Sequence, residues 1–73
     1  MNLVVSCQRA IEETNVLLYH AIRHLEEAPD IAQKQLWTIR IIQLKSEYTQ
    51  LQADLNSAYI IQGMTDQSKI SLN

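Results

Sequence analysis

From Trp37 to Ala58 the apolar residues fall at Trp37, Ile41, Leu44, Tyr48, Leu51, Leu55 and Ala58. The steps alternate between four and three without a break. That is the spacing of one seam on an α-helix packed against another helix. A second seam lies upstream. Val4, Ile11, Leu18 and Leu25 recur every seven residues, and Cys7, Thr14, Ala21 and Ala28 recur between them. One row is large and branched, the other small.

The residues between the seams say how the two helices connect. Pro29 ends the first, because the residue before a proline is pushed out of the α region. Asp30 reads as the next N-cap, with Gln33 three residues on completing a capping-box pattern. Asn2 caps the first helix in the same way. Gly63 offers the left-handed residue that commonly closes a helix. The signals predict a helix over 3–27, a turn at 28–30 and a longer helix over 31–62. The fold class is all-α: an antiparallel, coiled-coil-like two-helix hairpin over residues 1–63, with residues 64–73 as a flexible, disordered tail.

With the bend at Pro29, facing positions sum to about 58 or 59. Ala21 then meets Trp37, Thr14 meets Leu44, and Cys7 meets Leu51. Leu18 meets Ile41, Ile11 meets Tyr48, and Val4 meets Leu55. Each small residue on the first helix faces a large one on the second, which lets facing layers fill space.

Composition agrees. One Gly and one Pro leave few turns, and 47% of residues are hydrophobic. A chain of 73 residues forms one small domain with a limited core. One cysteine cannot form an intramolecular disulfide, and the lone thiol fits a reducing cytosol. Six basic and eight acidic residues are spread along the chain, for a net charge of -2. No basic cluster exists to collect phosphates, so nucleic acid is not the expected partner. The longest apolar run, Val16-Leu17-Leu18, is far short of a membrane span. Met1-Asn2-Leu3 lacks the basic start of a secretory signal.

Residues with chemical potential read more simply as structure. His20 and His24 share a helical face with Glu27, but a structural zinc site needs four ligands. Cys7 has no base beside it in sequence and fits the seam as a small apolar residue. Trp37, Tyr48 and Tyr59 repeat every eleven residues without the basic surroundings of a base-stacking platform. No phosphate loop, paired catalytic carboxylates or Ser-His-Asp order occurs, and a hairpin is expected to offer no concave pocket of the size small molecules need. The reading is a non-enzyme without cofactor or metal.

A hairpin cannot surround its own seam, so residues off the seam remain to be covered. Near the bend these are Val16, Leu17, Tyr19 and Ile22 on the first helix and Leu36, Ile39 and Ile42 on the second. Far from the bend they become polar: Gln8, Glu12, Glu13 and Asn15, then Thr49, Gln50, Gln52 and Asp54. A contiguous apolar patch marks a partner surface. Val16, Tyr19, Ile22, Leu36, Ile39 and Ile42 are its expected contacts, with Arg40 as a polar anchor. Alone, the chain is expected to be weakly stable or to self-associate.

The stretch Pro29-Asp30-Ile31-Ala32-Gln33-Lys34-Gln35-Leu36-Trp37 resembles a family with a short Pro-Asp or Gly-Asp turn and a Gln-rich start to its second helix. Ala58-Tyr59-Ile60-Ile61-Gln62-Gly63 is similar to the apolar, Tyr-containing end of that helix. Lys34 stands where the family often has an aromatic. The family is the small cytosolic co-chaperones of type III secretion needle proteins, and the resemblance spans residues 18–63. It implies a bacterial cytoplasmic protein that binds a tetratricopeptide-like chaperone and helps keep the needle subunit soluble before export. Two alternatives stay open. One is a self-assembling hairpin, as a homodimeric bundle or a needle-like subunit. The other is a small regulator that masks another protein.

Overall fold

In the computed structural model the chain forms α1 (Leu3–Glu27) and α2 (Ile31–Ser71), packed antiparallel along one seam. The structure describes the backbone of residues 2–71 and the side chains of residues 2–63. Asn2 opens α1: its Oδ1 accepts from the backbone N–H of Val4 at 2.9 Å and of Val5 at 3.3 Å. Ala28 leaves the helix with extended backbone, and its N–H donates to the Leu25 carbonyl at 3.3 Å. Asp30 starts α2 by accepting from the Gln33 N–H at 2.8 Å. Each cap occupies free backbone donors in the first turn, a contribution of about 1 kcal/mol.

Burial follows the seams. On α1, Val4, Cys7, Thr14 and Ala21 are buried, with Ile11, Leu18 and Leu25 half-buried between them. On α2, Ile41, Leu44 and Ala58 are buried, and Trp37, Tyr48, Leu51 and Leu55 are half-buried. Thr14 is the polar member of this seam. Its Oγ1 donates to the Ala10 carbonyl at 2.8 Å, so the buried hydroxyl is satisfied within its own helix. Ala21, Ile41 and Leu44 form the tightest cluster, with Leu18, Leu25 and Trp37 packed around it. Leu44 therefore sits with Ala21, where one-to-one pairing placed it opposite Thr14. A small knob lies among several residues of the facing helix rather than against one.

The end of α2 differs from the sequence expectation. The helix continues through Gly63 to Ser71. Gly63 has no positive φ, so it is an interior helical residue and not a left-handed cap. A helix already nucleated and held by a seam extends at little cost, and no proline follows to stop it. Residues 64–71, expected as tail, are thus helical in their backbone; Leu72 and Asn73 lie outside the described residues. At about 1.5 Å per residue the helices measure about 37 and 61 Å. The 65 Å length of the molecule is therefore set by α2. Continuing the seam spacing past Ala58 gives Gln62, Thr65 and Lys69, all polar. The apolar seam stops where α1 runs out.

A Cβ built on Gly63 meets nothing within 4 Å. Gly63→Ala is expected to raise helicity and stability by up to about 1 kcal/mol, read by circular dichroism and thermal melting. A loss of similar size would place Gly63 in the left-handed cap after all.

Candidate protein-interaction surface

Each residue turns the helix by about 100°, so positions off the seam fall on one of two flanks or on the back of the helix. On the first flank, α1 contributes Leu17, His20 and His24, and α2 contributes Leu36 and Arg40. A groove of about 280 Å³ runs here between the helices, walled by Leu17, His20, His24, Trp37 and Arg40 and floored by Ala21 and Leu44. It continues onto α2 over Gln33 and Leu36. The sequence reading expected no pocket of small-molecule size, and this is an open groove. The groove exists because Ala21 is small: the floor drops where its side chain ends. His24 stacks on Trp37, with ring centroids 4.4 Å apart and planes 12° from parallel. That stack holds the indole upright as one wall.

On the opposite flank stand Ile22 from α1 and Thr38 and Ile42 from α2. Farther from the bend, Gln8 Nε2 donates to the Tyr59 hydroxyl at 3.1 Å on this same side. Side chains lean toward the N-terminus of their own helix. Tyr59 therefore leans back toward the bend and Gln8 away from it, which lets them meet.

The expected contact residues are therefore not one patch. Leu36 and Arg40 share the groove flank, Ile22 and Ile42 share the other, and Tyr19 lies over the back of α1 against His20 and Arg23. Val16 and Ile39 point outward from the backs of α1 and α2. All six apolar members are exposed, Leu36 at 66%, Ile42 at 62% and Ile39 at 54%. Leu17, His20, His24 and Trp37 belong to the groove but were not among the expected contacts. Their signal was present as the spacing of residues 17, 20, 21 and 24, which lines one flank of a helix.

The back of α1 is polar. Arg23 donates to the Tyr19 hydroxyl and to Glu27 Oε1, each at 3.5 Å. The Tyr19 hydrogen bond first, then the Glu27 carboxylate, raises the Arg23 pKa above its usual value, so this guanidinium stays charged. Arg9 and Glu13 are also one turn apart but make no ion pair among the described residues. The middle of the hairpin is polar, with Glu12, Glu13, Asn15, Thr49, Gln50 and Asp54 exposed, whereas its far end again exposes Leu3, Val5, Tyr59, Ile60 and Ile61. In the polar middle Gln50 donates to Asp54 at 3.0 Å.

Among the described residues no group of three His, Cys, Asp or Glu side chains could hold a metal ion. Nor is any helix there long and apolar enough to cross a membrane. Comparison with known family models, curated proteins and solved structures gives no match.

Proposed function

We propose that this chain is a small, non-catalytic co-chaperone of a bacterial type III secretion system. In the cytoplasm it docks on a larger tetratricopeptide-like chaperone, and the pair keeps the needle subunit soluble before export. One observation carries the reading: Val16, Leu17, Tyr19 and Ile22 on α1 and Ile31, Leu36, Ile39 and Ile42 on α2 stay exposed around the bend, beside those that the far end exposes. A slim hairpin with so much uncovered apolar surface suits the concave face of a helical-repeat protein. The resemblance of residues 29–37 and 58–63 to the co-chaperone family supplies the partner's identity.

The groove is the docking element. Its apolar floor and indole wall accept one large apolar side chain of the partner. Arg40 at the rim then meets a carboxylate one turn away on the same partner helix. The test is capture of partners from a native lysate by the tagged chain. A tetratricopeptide protein and a needle subunit are expected to co-purify. Leu36→Glu and Arg40→Glu are each expected to weaken capture about tenfold or more, with helicity unchanged. Capture of an unrelated enzyme, or full capture by both variants, would overturn the proposal.

A further inference from the structure

The flank opposite the groove has its charges sorted by helix. Its acidic residues, Glu12 and Glu26, stand on α1, and its basic residues, Lys34 and Lys45, stand on α2. The ion pair among the described residues is Arg23–Glu27 on the back of α1; none of these four makes one there, although Glu26 also attracts Arg23 from beyond salt-bridge distance. Between them, near the bend, lie the exposed Ile22 and Ile42. We infer that this flank binds a second copy of the chain, with the two bends side by side at the same end, to form a four-helix bundle.

Symmetry decides the arrangement. A closed homodimer has a two-fold axis, and two axes bring this flank against itself. If the axis runs along the hairpin, both bends lie at one end and α1 of each copy covers α2 of the other. On this flank the acid-bearing helix then meets the lysine-bearing one, and the two bend-side ends coincide. If the axis runs across the hairpin, the bends lie at opposite ends and α1 covers α1. The two acid-bearing helices then lie together, as do the two lysine-bearing ones. Charge therefore selects the first arrangement.

The His24–Trp37 stack brings these two side chains together. Each leans toward the N-terminus of its own helix, so their Cα atoms are offset and that of His24 stands nearer the bend. Glu26 and Lys34 both lie in the turns next to the bend. In the dimer Glu26 of one copy therefore reaches Lys34 of the other, twice. Exposed ion pairs add little affinity but select orientation. Two helices about 37 Å long, side by side across a 15 Å width, give a footprint of about 550 Å² per copy before side-chain relief. That is the low end of specific interfaces, so the dimer is reversible. The groove flank faces away from the interface and stays open to another protein.

The test is sedimentation equilibrium of the purified full chain from about 1 μM to 1 mM, a span that brackets a weak dimer. The mass is expected to double with concentration. Ile42→Glu is expected to hold the chain monomeric throughout, with helicity unchanged. Glu26→Lys alone and Lys34→Glu alone each weaken the dimer about fivefold, and the two together restore it, because the pair reforms across the axis. In a Cys7→Ala background, mixing Glu26→Cys chains with Lys34→Cys chains gives an inter-chain disulfide. A monomer at every concentration, or a double swap weaker than either single one, would sink the inference. Neither outcome bears on partner capture through the groove, which is read separately with the Leu36 and Arg40 variants.

Discussion

Leu44→Ala abolishes the helical circular-dichroism signal of the isolated chain at room temperature. Leu44 is the largest fully buried side chain, 1% exposed, and lies at the centre of the cluster with Ala21 and Ile41. Truncating such a leucine costs about 2–5 kcal/mol, the lost transfer free energy plus the cavity left behind. A core in a chain this short rarely supplies more than about 3–5 kcal/mol. The two quantities are comparable, so one substitution suffices. The helices cannot survive apart, because isolated helices draw most of their stability from packing. Ile39→Ala is the control: Ile39 is 54% exposed on the back of α2, so the expected change is within about 0.5 kcal/mol. A Leu44→Ala chain that stays helical and melts within a few degrees of the parent would show that the seam is not what holds the hairpin.

Ala21→Leu has the second largest effect, through the opposite mechanism. Ala21 is 2% exposed and packs where Trp37, Ile41 and Leu44 converge. A leucine there has no free volume and must push the helices apart or drive neighbours off their rotamers, at about 1–3 kcal/mol. The indole is the part able to yield, since Trp37 is half-buried and borders an open groove, where His24 stacks on it. The melting temperature is expected to fall, and the emission of this sole tryptophan to shift to the red as it meets water. Trp37→Leu added to Ala21→Leu is expected to recover part of the lost stability, because volume removed on one side makes room on the other. Strictly additive losses would mean that the two positions do not touch. The same variant fills the floor of the groove, so it is also expected to reduce partner capture more than its loss of stability explains.

Several features were legible in the residues before any coordinates. The two seams match the buried positions from Val4 to Ala58, because a 3-4 repeat of apolar side chains has one low-energy disposition, toward another helix. Pro29 and Asp30 place the bend through local backbone rules that need no tertiary context. The exposure of Val16, Tyr19, Ile22, Leu36, Ile39 and Ile42 follows as well, since a hairpin can cover only one stripe per helix.

Other features were decided by the packed pair. Gly63 carries a local stop signal, yet the helix passes through it, because a helix anchored over seven seam positions continues until something forbids it. The stack of His24 on Trp37 depends on register to within a residue, which turn length fixes only approximately. Above all, the apolar surface near the bend is two flanks and two backs rather than one patch. Periodicity along a helix measures how far a side chain stands from the seam. Which side chains of the other helix stand beside it is settled only when two rods of the same hand lie antiparallel, and that puts Arg40 with Leu17 and Ile22 with Ile42.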